Sequence, residues 1–311
     1  MQTRLPSDQI NARPFLKWAG GKTQLLGDIN QRLPGHILRD GVIDNYVEPF
    51  VGGGAMFFSL KSNFEIRESH LFDVNPELIV GYKVIQKNHK GLINRLYEIQ
   101  NSYLSLENDT RESLYYEIRD LYNEQGTSFN YSRYTKQWVD RAAYLIFLNK
   151  TCYNGLFRQN RKGEFNVPFG DYKHPKICDE PNLLEISRAL KNTTILCGDF
   201  DTSRRFIKKG TLVYLDPPYR PLNSTSSFTG YAKNGFTDGD QERLAKYYKA
   251  MDEQGAYLIL SNSDPKNHDP KDDFFEALYG RYHLDRVMAT RMINCQADKR
   301  GSIHELIITN Y

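Results

Sequence analysis

Asn45-Tyr46-Val47-Glu48-Pro49-Phe50-Val51-Gly52-Gly53-Gly54-Ala55 is the stretch on which the fold turns. Residues 45–48 read as a short strand, the three glycines as a tight turn, and residues 55–60 as the opening of a helix. Residues 69–73 give the next strand. It ends on Asp73 and runs into Asn75-Pro76, where a proline in the first turn opens a second helix. Strand, turn, helix, strand, helix is the grammar of a parallel sheet. Working outward, strand signals resume at residues 194–197, 212–215, 257–261 and 303–309, with a helical stretch at 238–251. The middle differs. Residues 92–123 and 141–148 read as helical, and 149–175 as a long loop interrupted by Gly155, Gly163, Pro168 and Gly170. The expected class is α/β, one sheet domain with an insertion from about residue 85 to 190.

Composition narrows the class further. The chain has 311 residues, 40% of them hydrophobic and 25% charged, ordinary for a globular protein. No apolar run approaches the roughly 20 residues of a membrane span, and residues 1–13 are polar with no signal-peptide core. A cytoplasmic protein is expected. Cys152, Cys178, Cys197 and Cys295 form no CxxC pair, which argues against a zinc ribbon or redox dithiol. No metal ligands are expected. The formal charge is only +3, yet residues 130–176 hold nine Lys/Arg against three Asp/Glu, so this segment carries 9 − 3 = +6 and the remainder −3. A basic segment in a mildly acidic chain is either a polyanion-binding face or a solvated loop.

Asp216-Pro217-Pro218-Tyr219 carries the most chemistry. It follows the apolar run Leu212-Val213-Tyr214-Leu215, and ligands of open α/β sheets gather at the carboxyl ends of strands. An adenine amino group is a poor nucleophile because its lone pair is conjugated into the ring. The Asp216 carboxylate and the Pro217 carbonyl can each accept one of its hydrogens, leaving the nitrogen free to pyramidalise toward an electrophilic methyl. Two prolines stiffen the turn, and Tyr219 offers a face for a stacked base.

Four further motifs are weaker singly. The Glu48–Gly54 turn is compatible with a simple strand-to-helix turn. Asp73, some twenty residues on, is where dinucleotide folds place an acid on ribose hydroxyls. S-adenosylmethionine has a ribose and no phosphate, so a glycine turn lacking a P-loop lysine suits it. Gly21-Lys22-Thr23 fails the P-loop pattern because Leu16 stands where glycine is required; Trp18 with its flanking lysines fits a cofactor or polyanion contact, or the core. Gly198-Asp199-Phe200 ends another strand, where Asp199 and Phe200 can hold an adenine ring or Asp199 can cap a helix. Finally, Tyr153, Asn154, Arg158, Gln159, Asn160, Arg161 and Lys162 mix aromatic, amide and cationic side chains. Arginine reads guanine and Asn or Gln reads adenine in the major groove.

In this order the motifs at residues 15–22, 48–54, 73, 153–169 and 216–219, with Ser226-Ser227-Phe228-Thr229-Gly230-Tyr231 after them, resemble the Dam-type DNA adenine-N6 methyltransferases and the related methylases of restriction systems. The resemblance covers nearly the whole chain. It implies a Rossmann-like, S-adenosylmethionine-dependent methyltransferase sheet (residues 1–85 and 190–311) with a mainly helical target-recognition insertion (86–189). Methyl transfer would use Asp216, Pro217 and Tyr219. Cofactor contacts would come from Trp18, Lys22, Asp73 and Asp216, with Phe50, Asp199 and Phe200 nearby. DNA contacts would come from Lys17 and the hairpin carrying Tyr153, Asn154, Leu156 and Arg158. The implied reaction is methylation of N6 of an adenine flipped from double-stranded DNA at a short site, GATC among most relatives. A cognate restriction endonuclease and a place on the nucleoid follow from the same resemblance. Two rivals stand beside it: an exocyclic-amine methyltransferase acting on RNA or rRNA, and a non-catalytic DNA-binding module that kept the fold.

Overall fold

The computed structural model describes residues 9–18, 20, 24–220, 236–290 and 302–311. Its centre is a seven-stranded sheet of β1 (Val42–Glu48), β2 (Glu65–Asp73), β3 (Thr193–Cys197), β4 (Leu212–Leu215), β5 (Tyr257–Ser263), β6 (His283–Thr290) and β7 (Ser302–Thr309). The spatial order is β3-β2-β1-β4-β5-β7-β6. The first five strands are mutually parallel, while β7 runs antiparallel between β5 and β6. The chain order reverses between β1 and β4, the place where open α/β sheets bind ligands. The α/β expectation is met, and the sheet is Rossmann-like.

Alternation along the strands shows why both faces are covered. Leu212 and Tyr214 join one core and Val213 and Leu215 the other; Tyr46 and Val47, and Leu71 and Phe72, divide in the same way. Apolar residues on both faces need a helical layer on each side. On one face lie α3 (Ala55–Asn63) and α4 (Pro76–Leu104). On the other lie α8 (Asp238–Glu253), through Leu244, Tyr247, Tyr248 and Met251, and α9 (Phe274–Tyr279). Short helices α1 (Leu26–Gln31) and α2 (Gly35–Asp40) precede β1.

The connection from β2 to β3 is helical: α4, then α5 (Asn108–Gly126), α6 (Gln137–Thr151) and α7 (Glu180–Ala189). Asn75 caps α4 as the Asn-Pro pair predicts, its side-chain oxygen accepting from Glu77 N–H at 3.0 Å. Asn88 departs from helical geometry (φ −149°, ψ 52°), and its side chain accepts from Gly91 N–H at 3.1 Å, so the helix restarts there. Under these helices Arg141 donates from Nε to Glu77 Oε2 at 2.9 Å and from Nη1 to the Tyr122 carbonyl at 2.9 Å, both partners of the ion pair being buried.

The predicted elements differ from the observed ones in extent, and α1, α2, α7 and α9 have no counterpart in the sequence prediction. The stretch read as helical over 92–123 is two helices broken at residues 105–107. The loop predicted from Asn149 begins later, because α6 runs on to Thr151. Strand β6 is absent from the sequence prediction. It is an edge strand whose polar residues (His283, Asp285, Arg286) hide the alternation.

Candidate active site and nucleic-acid interface

The parallel strands place four acids side by side at their carboxyl ends: Asp199 just past β3, Asp73 on β2, Glu48 on β1 and Asp216 just past β4. The glycine turn closes this rim. Gly52 N–H donates to Asp73 Oδ2 at 3.0 Å and Asn75 N–H to Asp73 Oδ1 at 2.8 Å. Gly54 has φ 77°, and a Cβ there would sit 2.5 Å from the Tyr82 hydroxyl, so only glycine fits. A Cβ on Gly52 would come within 3.2 Å of the Trp18 ring. Burial raises the Asp73 carboxyl to about 6, against the opposing effect of its backbone donors. Glu48 is pushed well above the carboxylate range, chiefly by burial and, more weakly, by the negative charges of Asp216 and Asp73, although Tyr46 donates to it at 2.8 Å. Glu48 lies within the glycine motif, but its burial is a tertiary fact that the motif does not reveal.

The tetrapeptide is held from several sides. Ser261 Oγ lies 3.0 Å from Asp216 Oδ1 and 2.9 Å from the Tyr214 hydroxyl. Gln241 Nε2 donates to the Pro218 carbonyl at 3.3 Å. Tyr219 donates to Glu305 Oε2 at 2.6 Å. None of Ser261, Gln241 or Glu305 stands out in the sequence.

Phe50, Phe200 and Phe236 cluster with centroids 5.6–6.3 Å apart beside Asp199. Phe200 is only 1% exposed and packs edge-on against Tyr247, so in this state its ring belongs to the core. Asp199 does what the capping alternative describes, accepting from Asp201 N–H at 3.0 Å. It is also paired bidentately with Arg243 at 2.8 Å, which holds its carboxyl below the ordinary range.

The hairpin residues form a second group. Tyr153–Gly155 is a single 3-10 turn, with Asn154 at φ 58°, closed by bridges Cys152–Phe169 and Gln159–Phe165. Tyr153, Asn154, Leu156 and Arg158 are exposed, whereas Phe157 is buried. Arg158 donates from Nε to Asn166 Oδ1 at 2.8 Å and from Nη2 to the Asn166 carbonyl at 3.1 Å. Residues 17 and 18 join the two groups. Asn149 accepts from Lys17 N–H at 2.8 Å and donates to the Lys17 and Gly155 carbonyls, while Trp18 stacks on Phe157 at 5.0 Å and lies against the glycine turn. The Lys17 side chain is exposed. Lys22, Cys295 and residues 226–231 lie outside the described residues.

An Asp-Pro-Pro-Tyr turn, a glycine turn with its distal acid, and an exposed basic hairpin now stand on one Rossmann-like frame. Residues 18–293 match the D12 class of N6 adenine-specific DNA methyltransferases. The chain belongs to that family. It is 48% identical over 303 residues to the Type II methyltransferase M.MjaIII of Methanocaldococcus jannaschii, covering 97% of this chain and all of that one. It is 36% identical to the Type II methyltransferase M1.LlaDCHI of Lactococcus lactis (99% and 98% covered), and 32% identical to the DNA adenine methylase of Escherichia coli K12 (95% and 94% covered). This chain is therefore an adenine-specific DNA methyltransferase, an enzyme that needs a methyl donor and acts on DNA. The RNA and non-catalytic alternatives give way to that assignment. No described helix of this methyltransferase is long and apolar enough to cross a membrane.

Proposed function

We propose that this methyltransferase takes its methyl group from S-adenosylmethionine and places it on N6 of an adenine flipped out of double-stranded DNA within a GATC site. The observation that carries this is the sheet rim. Asp216 on its Pro-Pro turn neighbours a glycine turn whose backbone pins Asp73. The residues fit the donor: a half-buried carboxylate for ribose hydroxyls, a glycine turn permitting close approach, and aromatic rings from Trp18, Phe50 and Phe236, with Phe200 packed behind them. Asp199 and Lys22 complete this proposed set. When bound, the donor supplies an electrophilic sulfonium methyl.

The chain's own residues supply the rest. Asp216 and the Pro217 carbonyl accept the two N6 hydrogens and direct the lone pair. Tyr219 stacks on the flipped ring, whose unpairing costs a few kcal/mol. Holding nitrogen and methyl within reach of one another is the main source of acceleration. Residues 1–85 and 190–311 serve as the catalytic domain and 86–189 as the target-recognition insertion, with Lys17, Tyr153, Asn154, Leu156 and Arg158 toward the DNA. Two relatives are named Type II methyltransferases; this supports a role paired with a restriction endonuclease. An enzyme of this activity would act on the nucleoid in the cytoplasm.

The test is methylation of duplexes carrying GATC and each single-base variant, and, in separate duplexes, the fluorescence of 2-aminopurine in place of the target adenine, which has no N6 amino group and so reports flipping alone. The expected result is transfer confined to GATC with a rise in 2-aminopurine fluorescence. Transfer to another site would refute the specificity alone; transfer without a fluorescence rise would refute flipping.

A further inference from the structure

Three members of the Asp216–Tyr219 turn have partners on the strands beneath them or on α8. Ser261, fully buried on β5, bonds Asp216; Glu305, 6% exposed on β7, bonds Tyr219; Gln241, fully buried on α8, bonds the Pro218 carbonyl and receives an amide N–H from the fully buried Asn262 at 3.4 Å. Ser261 and Asn262 are successive on β5, and Glu305 pairs in register with Ser263 on the same strand. The antiparallel placement of β7 is what brings Glu305 under the turn.

We infer that Ser261 and Glu305 are positioning residues for methyl transfer, acting on Asp216 and Tyr219 respectively, with Gln241–Asn262 gripping the turn between them. This rests on the assignment of Asp216 and Tyr219 above. Fold stability does not ask for these side chains. Burying a carboxylate or hydroxyl is unfavourable unless it is hydrogen-bonded, and an apolar residue at either position would serve the core better. The polarity has a direction. Donating to the Asp216 carboxylate uses the Ser261 proton, so Ser261 must accept from Tyr214. The chain Tyr214 to Ser261 to Asp216 then fixes the plane of the carboxylate that meets N6. On the other side, Glu305 accepts the Tyr219 proton and sets the tilt of the ring on which the base stacks. A bond to a charged acceptor is the stronger kind, and a misplacement near 1 Å at the reacting atoms costs up to about 100-fold.

The experiment measures single-turnover methyl transfer at saturating donor and duplex, with S-adenosylhomocysteine affinity alongside. Ser261→Ala and Glu305→Leu should each slow transfer about 10- to 100-fold with affinity unchanged within about twofold. Glu305→Gln should restore most of the loss, because its amide oxygen still accepts from Tyr219. Tyr219→Phe should slow transfer as Glu305→Leu does, and the double variant should be slower by less than the product of the two, since both remove the Tyr219–Glu305 bond. Should Glu305→Leu fail to fold, Tyr219→Phe removes the same contact and carries that arm alone. Wild-type transfer in Ser261→Ala or in Tyr219→Phe would overturn the inference for that residue, as would slowing matched by an equal loss of affinity. Asp216→Ala separates the two levels. If it is inactive while Ser261→Ala and Glu305→Leu transfer normally, only this inference falls; if Asp216→Ala is active, the underlying assignment falls.

Discussion

Lowering the pH from 7 to 5 should weaken methyl-donor binding about tenfold, and replacing Asp73 by Asn should remove that dependence. Burial raises the Asp73 carboxyl from its ordinary 3.8 to about 6. If the ionised form accepts ribose hydroxyls, the apparent dissociation constant scales as one plus the protonated-to-ionised ratio. That factor is about 1.1 at pH 7 and about 11 at pH 5, a difference of about 1.4 kcal/mol. The stability contribution has the opposite sign. The folded state binds this proton more readily than the unfolded chain, so Asp73 adds stability as pH falls from about 6 toward 3.8, and loses it as pH rises. Weaker binding at pH 5 is therefore not a consequence of Asp73 loosening the fold. The assay is calorimetric titration with S-adenosylhomocysteine from pH 5 to 8, wild type against Asp73→Asn. The variant keeps Glu48 and its Tyr46 donor and removes the Asp73 charge, one of the weaker causes raising Glu48 beside burial, so Glu48 stays raised in both proteins. Flat wild-type affinity across the range, or an Asp73→Asn protein with the wild-type slope, would refute the reasoning.

Three other outcomes follow from the same contacts. Trp18→Ala should raise the S-adenosylhomocysteine dissociation constant severalfold while nonspecific DNA binding holds, because it strips the ring lying against Gly52; calorimetry beside a DNA titration checks both. Arg158→Ala should relax sequence discrimination more than it weakens DNA affinity, losing about 1–3 kcal/mol of discrimination at one base pair, read as kcat/KM on the preferred site and its single-base variants at fixed salt; equal losses on all duplexes would make Arg158 a backbone anchor. Arg141→Ala should cost about 3–5 kcal/mol of stability by stranding the buried Glu77 carboxylate, measured by urea unfolding.

Local pattern carried much of this architecture. The four apolar residues before Asp216 are β4 in full, and Asn75-Pro76 marks the start of α4. Both signals are short-range: an unbroken apolar run and a capping side chain. What escaped is long-range. Strand β6 is polar at the sheet edge, and the break between α4 and α5 has no glycine or proline to mark it. Ser261, Gln241, Arg243 and Glu305 reach the site only because strands or helices distant in sequence pack beside it. Phe200 illustrates an ambiguity that sequence cannot resolve: an aromatic after a strand can face a ligand or the core, and here it is buried against Tyr247. Arg158 shows another, because its exposed guanidinium is already oriented by Asn166, eight residues away.

The central claim is that the Asp216 carboxylate at the end of β4 directs the N6 lone pair of adenine. The most direct measurement is transfer of labelled methyl from S-adenosylmethionine to duplex DNA by wild type and Asp216→Ala, with the product nucleosides separated. Wild type should yield N6-methyladenine, and the variant should fall by at least about 10²- to 10³-fold, the loss typical of removing one transition-state hydrogen-bonding partner, while still binding duplex DNA. Substantial turnover by Asp216→Ala at saturating donor and DNA would contradict the account.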